Sequence, residues 1–146
     1  MRPRLRQTVA ALTPEQVWWR PNENSNSVGN LLLHLNGNVS QWLLQGLGGR
    51  PYQRHRPQEF AQRAALPAAQ LLEGLDHTLA QADAVLAALP ASDLARVLTI
   101  QGYTVTGAKA IYHVVTHFAL HYGQILYLAK MMQDRNLGFY AHLDQP

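Results

Sequence analysis

With seven histidines and no cysteine, this chain can bind a transition metal only through nitrogen and oxygen, and three of its histidines have a spacing suited to that. His117 and His121 stand four residues apart, one helical turn, so both imidazoles leave the same side of a helix and can reach one ion. His34 lies in a second apolar stretch, where Val28, Leu31, Leu35, Val39 and Trp42 recur at helical spacing. A third imidazole from a neighbouring helix would complete a facial set of nitrogens with open positions left over. That is the geometry of a catalytic site rather than a closed structural one.

Angles on an ideal helix rank the candidates. Around Ile111, Val114, Phe118, Ile125, Ala129 and Met132, His121 lies about 70° from the centre of the apolar face, His117 about 110° and His113 about 150°. His34 lies about 100° from the centre of its own seam, and Asn38 follows one turn later, nearer that seam. The ranking therefore favours His117 and His121 over His113. A histidine at the edge of an apolar stripe is also what a hydrogen-bonded core residue looks like, and H-x-x-x-H is a short pattern. No glutamate follows His117, so the zinc-protease motif is absent. His55, His77 and His142 sit among polar residues and read as solvated.

The elements that must position these residues are legible from periodicity and punctuation. A first helix is expected over residues 3–12, followed by a short turn opened by the Thr13-Pro14-Glu15-Gln16 capping-box pattern. Trp18-Trp19-Arg20-Pro21 interrupts, and Asn24-Ser25-Asn26-Ser27 offers N-caps for a second helix that carries His34 and reaches Gln45, before Gly46, Gly48 and Gly49. Residues 50–66 read as a polar, Arg-rich connection. A third helix follows from Pro67 to Leu89, stopped by Pro90. Residues 96–106 favour an extended segment or short hairpin with Gly102 at the turn, and Thr106-Gly107 opens a fourth helix to Gln133. The expected fold is all-α: a four-helix bundle in a single domain over residues 1–146, with the hairpin before the last helix.

Composition narrows the function classes. With 47% hydrophobic and 14% charged residues, the chain has enough apolar material for one core. The net charge of +3 comes largely from two patches, Arg2, Arg4, Arg6 and Arg20, and Arg50, Arg54, Arg56 and Arg63. No basic helix face or nucleic-acid motif appears, so nucleic acid is not an expected partner. The apolar run after the first arginines is too short for a secretory signal, and residues 110–132 carry three histidines, Thr116, Gln124 and Lys130, which suit a buried helix better than a bilayer span. A cytoplasmic protein without a membrane segment is expected.

At this point a family resemblance becomes visible. Trp18-Trp19-Arg20-Pro21, then Ser25 to Asn38 with its His34-Leu35-Asn36-Gly37-Asn38, together with Tyr112-His113-Val114-Val115-Thr116-His117-Phe118 and His121-Tyr122-Gly123-Gln124-Ile125, resemble the DinB-like bacterial four-helix-bundle proteins. The similarity spans nearly the whole chain. It implies that His34, His117 and His121 bind one divalent metal, with Zn, Ni, Fe or Mn all suited to three nitrogens. It also implies a metal-dependent enzyme acting on small molecules, a thiol S-transferase or a hydrolase, the thiol being a low-molecular-weight cosubstrate because the chain has none of its own. The alternative is a non-catalytic metal-binding stress-response or interaction protein. Asn38 and Gln124, on the histidine sides of their helices, are expected to orient the ligands or a bound water. Arg50, Arg54 and Arg56 are expected to bind an anionic cofactor. No Asp or Glu is expected inside the constellation, since Glu73, Asp76 and Asp83 read as one exposed face. The family's first helix usually begins earlier, whereas here Met1 opens directly onto Arg2-Pro3-Arg4-Leu5. A short first helix, with Trp18, Trp19 and Trp42 as apolar surface, predicts a homodimer.

Overall fold

The computed structural model describes residues 1–134 and 136–143. Four long helical segments form a bundle: α1 (Arg2–Ala10), α3 (Val28–Val39), α5 (Ala68–Ala87) and α6 (Gly107–Gln133). Two short helices, α2 (Pro14–Trp18) and α4 (Arg56–Ala61), and an antiparallel hairpin of β1 (Val97–Ile100) and β2 (Tyr103–Thr106) cap its flanks.

The helices start where side chains can satisfy their free N–H groups. Thr13 and Gln16 form the reciprocal capping box of α2. At α3 the same box is built by Ser27 and Asn30. Here Asn30 is buried, and its Nδ2 also donates to the carbonyls of Glu59 (2.9 Å) and Gln62 (3.1 Å), tying the start of α3 to the end of α4. Thr106 caps α6 through the Lys109 N–H.

Helix α3 lies at the centre, packed against α2, α4, α5 and α6. Of its faces, the one carrying Val28, Leu31, Leu35 and Val39 is wholly buried, and Leu32 on another side is buried too, as expected of a helix covered all round. Each of the four seam residues that periodicity selected on it is buried. On α6, Val114, Phe118, Ile125 and Ala129 face the core, while Ile111 and Met132 are partly covered.

Three sequence expectations are corrected. The second helix is not α-helical to Gln45: from Ser40 to Leu47 it continues as a π-helix, closing with Gly48 N–H to Leu43 C=O at 2.9 Å. The 50–66 segment, read as a polar, Arg-rich connection, contains a short helix, because Pro57 near the N-terminus and Glu59 in the first turn open α4. Of the three tryptophans, Trp42 is buried and Trp18 donates its indole N–H to Leu66 C=O at 3.0 Å, leaving only Trp19 exposed. Two of the three are thus consumed within the monomer.

The hairpin lies against the π-helical segment. A Cβ on Gly46 would meet the Ile100 side chain, so the close approach of hairpin and helix would have to be adjusted for any larger residue there. Its turn places Gln101 (φ 54°) and Gly102 (φ 80°) in the left-handed region, the pattern of a tight two-residue hairpin turn. Gln101 is held there by the Trp42 indole N–H, which donates to its Oε1 at 3.3 Å. Arg2 and Arg6, expected as part of a basic patch, both pair with Asp76, while Arg4 donates to Phe139 C=O and stacks on Phe139 and Tyr140. Among the described residues no helix is long and apolar enough to cross a membrane.

Candidate metal centre

The interface of α3 and α6 brings His34, His117 and His121 together, one ring nitrogen of each lying within 4.8 Å of the others. His34 is 4% exposed, while the α6 pair is half-buried at the rim. The Nε2 atoms of His34 and His117 approach to 2.9 Å. Ring centroids are 5.0 Å apart between His34 and either partner, and 4.4 Å between His117 and His121.

Tautomers follow from the outer partners. His34 Nδ1 lies 2.8 Å from Glu59 Oε2. Burial pushes the Glu59 carboxyl up, but hydrogen bonds from Arg54 and His34 outweigh it and hold the group below the usual carboxylate range. Nδ1 also lies 3.1 Å from Arg54 Nη2, which only donates, but the shorter contact is to the carboxylate, which only accepts; it puts the proton on Nδ1 and turns the Nε2 lone pair to the cluster. Similarly, His121 Nδ1–H donates to Gln124 Oε1 at 2.7 Å, freeing its Nε2. His117 meets His34 through Nε2, and with His34 protonated at Nδ1 the His117 Nε2–H is the donor and His34 Nε2 the acceptor.

Burial, reinforced by the charges of His121, His34 and His113, pushes the His117 pKa down from the ordinary 6.5 to about 3. Burial also lowers His121, partly offset by the Gln124 hydrogen bond. Imidazoles kept neutral while crowded together are what a divalent cation requires of its ligands. The donor set fits a metal: three neutral nitrogens, two with tautomers fixed by oxygen acceptors.

Glu59 is the residue that sequence reasoning missed, and its presence overturns the expectation of a site without carboxylates. Its carboxylate is gripped at both oxygens by Arg54, Nε to Oε1 at 2.7 Å and Nη2 to Oε2 at 2.8 Å, and Arg54 Nη1 also reaches Gln41 Oε1 at 3.1 Å. The Arg54 side chain is only 3% exposed. Arg54 is therefore occupied in holding Glu59. A Cβ on Gly37 would run into the Glu59 carboxylate, so α3 carries a glycine where the acid must pass. The one available signal was Pro57 with Glu59, a helix start inside the arginine-rich stretch.

The remaining candidates scatter. Arg50 bonds Gln81 Oε1, away from the cluster. Arg56 lies over the Phe60 ring, 4.9 Å from its centroid. Gln124 contacts His121 of the cluster, whereas Asn38 meets His113 Nε2 at 3.2 Å instead. His113, which the ideal angle placed farthest from the seam, is half-buried. It stacks on Trp42 at 3.9 Å and borders a cavity of 660 Å³ that also reaches His34 and His117. Of the acids read as one exposed face, Glu73 and Asp83 are exposed and Asp76 is engaged with Arg2 and Arg6.

A bundle of long helices with a hairpin before the last one is a fold this chain shares with solved structures, one of them a DinB-like protein. A DinB-like protein from Bacillus cereus ATCC 10987 superposes with a TM-score of 0.69 at 15% identity, over 90% of this chain and 85% of that one. A conserved protein from Enterococcus faecalis superposes with a TM-score of 0.73 at 17% identity, over 92% and 91%. Within that fold, residues 1–141 match the family described as a protein of unknown function, DUF1572, and the chain belongs to it. No curated protein matches the sequence.

Proposed function

We propose that this protein is a divalent-metal-dependent enzyme of small-molecule chemistry, a thiol S-transferase or hydrolase, with His34, His117 and His121 as the metal ligands. The observation that carries this reading is the pair of Nδ1–H groups committed outward, His34 to Glu59 and His121 to Gln124, which leaves both Nε2 lone pairs for a ligand role. A divalent cation bound by three neutral imidazoles lowers the pKa of a water or thiol enough to give a nucleophile near neutral pH. The chain's own part is to hold and shield. Glu59 keeps the His34 ring in one orientation, and Arg54 keeps Glu59 ionised and fixed. The cavity beside His34 and His117 admits a metabolite-sized molecule. Since the chain has no cysteine, a reacting thiol must arrive as cosubstrate.

The test is metal analysis of freshly purified protein, followed by a screen of low-molecular-weight thiols with electrophiles and of hydrolysable esters and amides. One equivalent of Zn, Ni, Fe or Mn, with turnover that a chelator removes and added metal restores, supports the reading. A second reading, a non-catalytic metal-binding protein, is favoured by one observation: among the described residues no Asp or Glu lines the cavity to act as acid or base. Stoichiometric metal without turnover across the panel would select it.

The same reading includes a homodimer. What supports it is that Tyr112, Val115, Leu120, Tyr127 and Met131 along α6 are exposed apolar side chains that a second copy would cover. Light scattering over a dilution series is expected to give twice the chain mass. A monomer at high micromolar concentration would overturn it.

A further inference from the structure

The cavity beside the histidines is lined by three cations, Arg54, Arg56 and Lys109, and among the described residues by no acid. These charges are not equivalent. Arg54 is neutralised by the two oxygens of Glu59. Arg56 enters from the start of α4 with its guanidinium over the Phe60 ring, an arrangement that fixes the group without satisfying its N–H donors. Lys109 enters from the first turn of α6, and among the described residues neither it nor Arg56 has a carboxylate within 4.0 Å. Both are exposed residues, and two uncompensated cations bordering one cavity repel each other and attract an anion.

A second observation comes from the cavity wall. Asn38 is 3% exposed and lines the cavity. Its Nδ2 is engaged with His113, but its Oδ1 has no partner. A buried acceptor without a donor is uncommon in a folded protein and costs free energy until something donates to it. Trp42 and Tyr103 supply aromatic surface on the same cavity, and the Trp42–Gln101 hydrogen bond holds the hairpin in place as its far wall.

We propose that this cavity is a binding site for a small organic carboxylate bearing a hydroxyl group, its anionic end held by Lys109 and Arg56 and its hydroxyl donating to Asn38 Oδ1. This names the substrate class for the activity proposed above and rests on that reading for its catalytic meaning, although binding at the cavity needs no metal. A ligand anchored this way lies along the wall that His34 and His117 share with the cavity, so its remaining end is delivered to the histidine cluster.

Mandelate, phenylacetate and mandelamide probe the three features separately, by calorimetry or by the Trp42 indole and histidine NMR signals, first on chelator-treated protein and then with zinc added. Saturable mandelate binding to the metal-free protein is expected. Phenylacetate, without the hydroxyl, and mandelamide, without the charge, should each bind about tenfold more weakly. Lys109→Gln and Arg56→Gln should each cost mandelate a similar factor while leaving mandelamide unchanged, and Lys109→Arg should restore it. Equal binding of mandelate and mandelamide, indifference to Lys109→Gln, or no saturable binding would overturn the proposal. Mandelate binding seen only with zinc would overturn it as well, by showing the carboxylate on the metal. Failure of zinc to bind, with mandelate binding still dependent on Lys109, would remove the metal enzyme and leave this site standing.

Discussion

The two sides of the histidine cluster are built differently. His34 is buried, and its ring is fixed by an ion pair brought from the 54–59 segment. His117 and His121 stand half-buried on one turn of α6; among the described residues His121 hydrogen-bonds Gln124, three residues along the same helix, and His117 stacks on His113, one turn back. One side is positioned by tertiary structure and the other by helix geometry. The costly alignment is concentrated on a single histidine, while the helix supplies the other two at little expense.

Removing a ligand should have the largest effect. His34→Ala and His117→Ala are each expected to abolish stoichiometric metal binding in calorimetric titration, because two imidazoles hold a first-row ion far less well than three. Retention of one equivalent in either variant would break the comparison at its root. Next, Glu59→Ala should weaken metal binding by about 10- to 100-fold through loss of the outer partner of His34. The same change strands a buried Arg54 and should lower stability by about 3–5 kcal/mol in urea denaturation, whereas Glu59→Gln keeps the shape and should cost less. Gln124→Ala, on the exposed side, should weaken binding by less than tenfold. If Gln124→Ala proved the more damaging of the two, the assignment of His34 as the pre-organised side would be wrong.

A pH series sharpens the same contrast. His117 is pushed down to about 3, with burial the main cause, so between the ordinary 6.5 and that value the unfolded chain binds a proton that the folded chain refuses. The unfolded state then holds more protons, and the stability of the metal-free protein is expected to fall as pH drops below about 6.5. His117→Gln should flatten that decline in urea midpoints, and a wild-type midpoint unchanged from pH 7 to 5 would contradict it. The smallest effect is expected at His113: His113→Ala should leave metal affinity within about twofold, because Asn38 and Trp42 hold that ring outside the cluster.

What was legible in the sequence was what helix periodicity controls. His34, His117 and His121 were readable because a helix carries its own angular scale, and the hairpin because Gly102 punctuates a β-branched run. Glu59 was not, since its contact with His34 joins residues 25 apart across a turn whose path no local pattern encodes. The angle misjudged His113 for a related reason: it measured distance from one buried face, whereas the N-terminal half of α6 is covered on a second side by Trp42 and the hairpin. The π-helical stretch left no mark either, because Ser40 to Leu47 keeps an apolar rhythm compatible with both helix types.

His34 and His117 are 83 residues apart in the chain, and a chain without cysteine has no covalent means of joining such distant points. An ion shared between them would act as a reversible staple. It would bind the native arrangement and not the open chain, so each tenfold rise in free metal above the dissociation constant would add about 1.4 kcal/mol to the folding free energy. The lifetime of the domain would then report the supply of metal around it: starved of the ion, the protein would lose not only a reagent but part of the tether that keeps its first and second halves together.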